Sequence, residues 1–176
     1  MGSSPIPQYV EKKVIILKLK KMLWNLVLIL IVGYVGILVY QNISQYQRFK
    51  VNGKSMEPTL KDGQKLMMKK FQKNDKLHRG DIVVIKAKMN GKEYDFIKRV
   101  IALPGEHLEI KDHKIYVNGK YLEDENADVG KEDCMIPKDS IYVIGDNRKH
   151  SLDSRTLGTM KISKIIAWKV SPKKEL

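Results

Sequence analysis

The segment RGDIVVIKAKMNGKEYDFIKRVIAL, residues 79–103, decides the fold that we predict for this chain. Its early part, Asp81–Ile85, is rich in β-branched residues, which favour strands. Asn90-Gly91 is the strongest short signal for a hairpin turn. A second long strand, Tyr94–Leu103, follows that turn. The segment therefore predicts an antiparallel β-hairpin.

The second strand of this hairpin carries one lysine among apolar residues. Because alternate side chains of a strand share a face, Lys98 lies with Tyr94, Phe96, Val100 and Ala102. Arg99 points to the opposite side. Desolvation lowers the pKa of a lysine, and at its usual pKa of about 10.4 only roughly one lysine in 2,500 is neutral at pH 7. The alternative is an edge strand from which Lys98 reaches water.

Further short strands are predicted on the C-terminal side of the hairpin, separated by turn signals at Asp112-His113 and Asn118-Gly119. They are His107–Ile110, Lys114–Val117, Tyr121-Leu122, Ile141–Ile144 and Ile165–Val170. The polar stretch Glu123–Asp133 is predicted to be a mobile loop. No convincing amphipathic helix follows residue 50, so the domain is predicted to be mainly β. With a single cysteine, Cys134, the chain forms no internal disulfide.

On the N-terminal side, residues 22–40 read MLWNLVLILIVGYVGILVY and predict a transmembrane helix. A run of about 19 uncharged residues spans the hydrocarbon core of a bilayer. No small-x-small site follows in residues 40–47, which favours a permanent anchor over a cleaved signal. Residues 1–7, MGSSPIP, carry no signal for fold or function. We predict a basic cytoplasmic segment over residues 1–21 and an extracytoplasmic catalytic domain over residues 41–176.

The orientation rests on the lysines around the span. Lysines that precede it outnumber the one acidic residue there, Glu11, whereas Arg48, Lys50 and Lys54 follow it. This bias favours a cytoplasmic N-terminus. The preceding lysines, which face anionic lipid headgroups in this arrangement, are Lys12, Lys13, Lys18, Lys20 and Lys21.

Ser55 is the candidate nucleophile. Gly53 before it and Pro58 after it predict a turn that presents the hydroxyl. A serine needs a base to take its proton, and the usual partner is histidine held by a carboxylate. None of the four histidines lies in a motif typical of that triad, although His150 stays an alternative because it lies in a polar block, residues 145–155. Lysine is the known variant of the base, and Lys98 is the candidate.

Four segments, in order behind one span, resemble those of bacterial type I signal peptidases. They are GKSMEPTL (53–60), RGDIVVI (79–85), KRVIALPGE (98–106) and GDNRKHSLDSR (145–155). The resemblance covers about residues 20–170 and implies an antiparallel β catalytic domain behind the membrane helix. It also implies a serine endopeptidase that removes signal peptides from secreted preproteins after a small-x-small site.

The resemblance assigns roles residue by residue. It implies Ser55 as the nucleophile that forms an acyl-enzyme, with its own N–H stabilising the oxyanion, and Lys98 as the general base. Ser151 matches the serine that hydrogen-bonds and orients the lysine amine. Supporting roles fall to an ion pair, Asp153 and Arg155, and to Asp146, Asn147 and Arg148. Substrate-binding roles fall to Met56, in the floor of the pocket, and to Pro58.

Departures from the family pattern concern the surroundings of the site. Gly53 replaces a hydroxyl-bearing residue that adds a second oxyanion donor in some members, so the chain resembles the shorter Gram-positive type. Ala102 stands where glycine is frequent, Glu106 where aspartate is common, and His150 where asparagine is frequent. These differences bear on substrate preference. The resemblance implies that the substrate binds as an extended strand against a sheet edge.

The composition limits the other classes of function. The 176 residues carry a net charge of +13, yet no zinc-finger spacing, DNA-reading helix or aromatic-studded basic sheet motif indicates a nucleic-acid partner. No metal-ligand spacing and no phosphate-binding glycine loop is found, so we expect no metal and no cofactor. The surplus of positive charge outside the membrane favours lipid or anionic wall polymers as partners. The oligomeric state is left open.

Three rival interpretations fit the sequence less well. A catalytically idle chaperone for pilus or surface-protein assembly would have no chemical reason to keep both Ser55 and Lys98. A self-cleaving, DNA-binding Ser-Lys repressor does not fit the membrane span. The tripeptide Arg79-Gly80-Asp81 suggests integrin adhesion, but it leads directly into a strand.

Overall fold

The structure is a computed structural model, and it describes residues 8–89, 91–122 and 131–169. The chain forms two compact units, Met1–Gln45 and Tyr46–Leu176, and each is described by itself. The predictions for residues 1–7, Asn90, residues 123–130 and Val170 lie outside the described residues.

The N-terminal unit is one long helix, α1 (Gln8–Ser44). It extends the predicted span in both directions, because the flanking lysines and glutamines are themselves good helix formers. Among the described residues, one helix, Lys12–Ser44, is long and apolar enough to cross a membrane, with a mean hydropathy of 2.5. Its side chains are exposed within the unit, as expected for a helix surrounded by lipid.

The second unit is built from eleven described strands. In chain order they are β1 (Tyr46–Lys50), β2 (Lys65–Lys70), β3 (Ile82–Met89), β4 (Lys92–Ala102), β5 (His107–Lys111), β6 (Lys114–Val117), β7 (Lys120–Leu122), β8 (Glu132–Met135), β9 (Ser140–Ile144), β10 (Met160–Lys161) and β11 (Ile165–Lys169). Helical turns occur at Arg148–His150, Ser154–Leu157 (α2) and Ile162–Lys164.

These strands form two antiparallel sheets. The larger sheet has the order β1-β2-β11-β3-β4-β9-β10, and the smaller one has the order β7-β6-β5-β8. The predicted hairpin of β3 and β4 lies inside the larger sheet, with Met89 opposite Lys92 and Val83 opposite Lys98. The fold is therefore mainly β, as predicted.

The sequence missed some strands. β1, β2 and β10 were not predicted, and the C-terminal end of the predicted loop is wrong, because Glu132 and Asp133 begin β8 and pair with β5. β1, β2 and β8 carry several charged residues and contain no β-branched residue, so their propensity for strands is weak. Pairing with neighbouring strands overrides that propensity.

Apolar side chains gather in three clusters that support the larger sheet and join it to the smaller one. One cluster holds Met56, Leu60, Met68 and Val84. Another holds Val83, Ile85, Val100 and Trp168, and the third fills the space beneath the smaller sheet. β4 runs past the first two clusters, and this position buries the lysine that it carries.

Candidate active site

Ser55 lies in the turn region that follows β1, between Val51 and Leu60. Gly53 begins this region with a φ of +90°, a conformation that favours glycine, and its N–H donates to Asp62 Oδ1 at 2.8 Å. The N–H of Leu60 donates to the carbonyl of Met56 at 2.8 Å. These bonds fix the backbone around the serine and leave its side chain partly exposed.

Lys98 reaches this serine from β4. Its Nζ lies 2.7 Å from Ser55 Oγ, and the residue is only 3% exposed. Nζ also lies 5.6 Å from the centre of the Phe96 ring. The structure thus brings together the two residues that the sequence paired, although they are separated by 43 positions.

The surroundings of Lys98 change its proton affinity. Burial lowers the pKa of Lys98 to about 8, with the Asp153 carboxylate opposing this shift and the Arg155 guanidinium adding to it. At a pKa of about 8, roughly one such amine in ten is neutral at pH 7. The amine is therefore far better suited to accept a proton than an exposed lysine.

The third component is the segment 145–155, whose centre is the buried carboxylate of Asp153. It accepts hydrogen bonds from Ser151 Oγ at 2.6 Å, the Gly145 N–H at 3.0 Å and Arg155 Nε at 2.7 Å. Burial by itself raises the pKa of Asp153, but the bonds from Arg155, Gly145 and Ser151 outweigh it and lower that pKa. The carboxylate is therefore ionised and holds the segment in one conformation.

The structure differs from the sequence-based expectation for Ser151. We expected its hydroxyl to bind the amine of Lys98, but among the described residues its hydrogen bond goes to Asp153. A carboxylate two residues along the chain is a stronger acceptor and needs no reorientation of the backbone. Ser151 and the backbone of Ser55 nevertheless both lie against Gly145.

Gly145 was not singled out from the sequence, yet it occupies the closest approach in the site. A Cβ at this position would lie 2.2 Å from Ser151 Oγ and 2.5 Å from the carbonyl oxygen of Ser55. That carbonyl also accepts the N–H of Asn147 at 3.0 Å. The glycine thus allows the segment 145–155 to pack directly against the backbone of Ser55.

A second ion pair that the sequence did not predict holds the same segment from the other side. Arg99 donates from Nε and Nη2 to the two carboxylate oxygens of Asp146, at 2.7 and 2.6 Å, and from Nη1 to the carbonyl of Gly80 at 2.7 Å. The sequence placed Arg99 on the face opposite Lys98 but did not give it a partner. Arg148 donates to the carbonyl of Gly145 at 3.1 Å, within the segment.

A cleft of about 400 Å³ opens beside the serine. It is lined by residues 47–52, Ser55, Met56, Val84 and residues 95–98. Met56 is completely buried, so it forms part of the floor. Pro58 does not line this cleft; it is exposed and lines a second one, of about 350 Å³, with Glu57 and residues 146–149.

The alternative base is His150. His150 is exposed, and among the described contacts its ring makes no hydrogen bond with Ser55. The backbone N–H of Ser55 donates to no atom in the described part of the chain. That N–H is thus available to a ligand.

A family model described as "Signal peptidase, peptidase S26" matches residues 22–172. The chain belongs to this family. Membership supports the removal of signal peptides as the activity and implies a serine peptidase. Together with the apolar helix α1, it indicates a membrane-anchored protein.

Individual signal peptidases are similar over most of the chain. Signal peptidase I U of Bacillus subtilis is 34% identical over 157 residues, which cover 81% of this chain and 83% of that protein. Signal peptidase I of Bacillus caldolyticus is 34% identical over 140 residues, 69% of this chain and 75% of that one. A solved signal peptidase I of Enterococcus faecalis is 26% identical, with a TM-score of 0.48, over 55% of this chain and 98% of that one.

The burial of Lys98 predicts a measurable cost in stability. Between pH 8 and 10.5 the unfolded chain keeps a proton that the folded chain has lost, so the stability of the wild type rises with pH over this window. Lys98→Met should therefore raise the free energy of unfolding by about 3 kcal/mol below pH 8, and this gain should shrink between pH 8 and 10.5. Urea denaturation in detergent at several pH values measures it.

Lys88→Met is the matched control, because Lys88 is an exposed residue of β3. It should leave the free energy of unfolding nearly unchanged at every pH. A Lys98→Met variant that is no more stable than the wild type at pH 7 would show that the amine is not desolvated.

The close approach at Gly145 predicts that Gly145→Ala impairs the site. The new methyl group must displace Ser151 or the Ser55 backbone, and a displacement of about 1 Å at a reacting group costs on the order of 100-fold in rate. We expect kcat/KM for a preprotein to fall by this amount. Gly36→Ala, where a Cβ would meet nothing within 4 Å, is the control, and a Gly145→Ala enzyme with wild-type kcat/KM would refute the argument.

Proposed function

We propose that the chain is a membrane-anchored endopeptidase that removes signal peptides from secreted preproteins after a small-x-small site, with Ser55 as nucleophile and Lys98 as general base. The observation that carries this proposal is the 2.7 Å contact between Ser55 Oγ and the buried Nζ of Lys98. A serine hydroxyl beside an amine of lowered pKa is the arrangement that nucleophilic catalysis needs.

In the first half of the reaction, neutral Lys98 takes the proton of Ser55 Oγ while Oγ attacks the scissile carbonyl carbon. The N–H of Ser55 donates to the oxyanion that forms. The tetrahedral intermediate then collapses, the C–N bond breaks, and the ammonium of Lys98 gives its proton to the departing amine of the mature protein. The signal peptide remains as an ester on Ser55.

In the second half, Lys98 takes a proton from a water molecule that attacks the ester carbonyl. The second tetrahedral intermediate collapses, Ser55 Oγ leaves and recovers a proton from Lys98, and the signal peptide departs with a new carboxyl group that loses its proton to water. The amine acts as base and then as acid in each half, so its lowered pKa serves both steps.

The segment 145–155 acts as a support for the nucleophile and the base. Asp153, held by Arg155 and Ser151, fixes Gly145 against the carbonyl of Ser55. Asp146 is tied to β4 through Arg99, the residue next to Lys98. Arg148 closes the turn on Gly145. These residues are positioning residues in our proposal, because they act through Ser55 and Lys98.

The strand edges around the cleft support extended binding of the substrate. The ladder between β4 and β9 begins at Arg99, so in the described part of the chain residues 92–98 pair on the β3 side alone. β1, on the other side of the cleft, is the edge strand of its sheet. A peptide that enters as a strand can pair with such an edge. Met56 beneath the serine leaves room for a small side chain before the scissile bond.

The proposed topology places residues 1–21 in the cytoplasm, residues 22–40 in the membrane and residues 41–176 outside. The lysines that precede the span support it. A site on the outer side of the membrane meets preproteins whose apolar signal segment is still in the bilayer. Preproteins are thus the proposed partners, and the reaction needs no cofactor.

Cleavage of a membrane-embedded preprotein with a small-x-small site tests this proposal. The full chain in detergent or lipid should cut it, whereas Ser55→Ala should lose on the order of 10³-fold or more in kcat, because the ester cannot form. Ser163→Ala, at an exposed serine, is the control and should cut normally.

Two results would contradict the proposal. Cleavage by Ser55→Ala at the wild-type rate would place the nucleophile elsewhere. If the folded wild type cuts no preprotein, the idle chaperone becomes the better interpretation, and binding of a preprotein to the cleft becomes the next test.

A further inference from the structure

The positive charge of the second unit is concentrated in its first segment. Residues 46–76 contain nine Lys or Arg and three Asp or Glu, whereas residues 77–176 contain nineteen and sixteen. The net charge of the first segment is therefore +6, twice that of the remaining hundred residues. Charge concentrated in this way indicates a localised anionic partner.

The structure places part of this charge on one face of a two-stranded ribbon. In the register of β1 and β2, Arg48 lies opposite Met67 and Lys50 lies opposite Lys65, and Tyr46 lies opposite Lys69 at the end of the ribbon. Directly opposite residues share a face. The other face of the ribbon carries Leu66 and Met68, which are buried in the core.

We define the basic face as Tyr46, Arg48, Lys50, Lys65 and Met67. All five residues are exposed, and Tyr46 and Met67 expose about half of their surface, 48% and 53%. Lys69 is excluded, because its amine is paired with Asp75 at 2.8 Å. The basic face therefore combines three cations with an aromatic and an apolar side chain.

The cations of the basic face have no acidic partner in the described part of the chain. Arg48, Lys50 and Lys65 make no ion pair with the residues that the structure describes. The smaller sheet differs, because Lys111 pairs with Glu109 and His107 pairs with Asp133 on its surface. The two strands of the ribbon contain no acidic residue, whereas the strands of the smaller sheet contain Glu109, Glu132 and Asp133.

The position of the ribbon in the chain indicates the partner. α1 ends at Ser44 and β1 begins at Tyr46, so one residue, Gln45, and at most about 7 Å of chain separate the apolar helix from the basic face. Anionic headgroups lie at this distance from a membrane span and attract nearby Lys and Arg. Tyrosine is enriched at the same level.

We propose that the basic face docks on anionic phospholipid headgroups of the membrane in which α1 is embedded. Arg48, Lys50 and Lys65 contact the phosphates, and Tyr46 and Met67 insert among the headgroups. β1 also forms a wall of the cleft beside Ser55, so docking holds that wall at the bilayer surface. The inference does not depend on the chemistry proposed for Ser55 and Lys98.

A fluorescent label on the basic face tests the docking without any measurement of cleavage. Met67→Cys is combined with Cys134→Ser, so that the full chain carries one thiol for a bimane label. The protein is placed in nanodiscs that contain a headgroup-attached nitroxide quencher. The nanodiscs are made of phosphatidylcholine alone or with one-third phosphatidylglycerol, and each is measured at low and at high salt.

We expect strong quenching with phosphatidylglycerol at low salt and weak quenching with phosphatidylcholine alone. High salt should abolish the difference, because exposed charges are screened beyond a Debye length of about 10 Å or less. Arg48→Gln/Lys50→Gln/Lys65→Gln should lower the ratio of docked to undocked protein by on the order of 100-fold, at roughly fivefold for each cation removed.

Lys111→Gln/Lys114→Gln/Lys120→Gln is the matched control, since it removes the same charge from the smaller sheet. It should leave the quenching unchanged. Equal loss in the two triple variants would show that net charge and not the basic face is responsible. Quenching that is independent of lipid charge and salt, or absent throughout, would also overturn the proposal.

Discussion

The burial of one amine, that of Lys98, is the constraint on which the rest of the site depends. In the reaction that we propose, its contact with Ser55 is useful only while water is kept away, because an exposed lysine is protonated at neutral pH. The apolar clusters on the two sides of the larger sheet supply this exclusion. Burial lowers the pKa of this amine to about 8, and the same burial makes the folded state less stable.

A second buried charge, the carboxylate of Asp153, helps to fix the position of the Ser55 hydroxyl relative to the Lys98 amine. Asp153 is 1% exposed. Its carboxylate accepts hydrogen bonds from Arg155, Ser151 and Gly145. Through Gly145 this network reaches the backbone of Ser55. Three segments far apart in sequence meet here, and Ser55 is bonded to two of them, by Lys98 Nζ and by the N–H of Asn147.

The sequence predicted those parts of the structure whose signals are local. The β3–β4 hairpin follows from β-branched runs around a turn signal. The face of the sheet on which Lys98 lies follows from the alternation of side chains along β4. The membrane helix follows from an uncharged run. By contrast, β1, β2 and β8 carry exposed charges, so they are identified as strands only from their pairing with neighbouring strands in the structure. The role of Gly145 depends in part on Ser55, 90 positions away, and the partner of Arg99 lies 47 positions away. The hydrogen bond from Ser151 to Asp153 was missed, because the family resemblance assigns that hydroxyl to the amine of Lys98.

The dependence of kcat/KM on pH between 6 and 10 tests most directly whether Lys98 is the base that activates Ser55. The value should rise as the amine loses its proton, with a midpoint near the pKa of about 8, and should reach a plateau above it. His150→Asn should leave this profile unchanged. A profile that is flat over this range, or one with a midpoint near the usual histidine pKa of about 6.5 that disappears in His150→Asn, would contradict the assignment of Lys98.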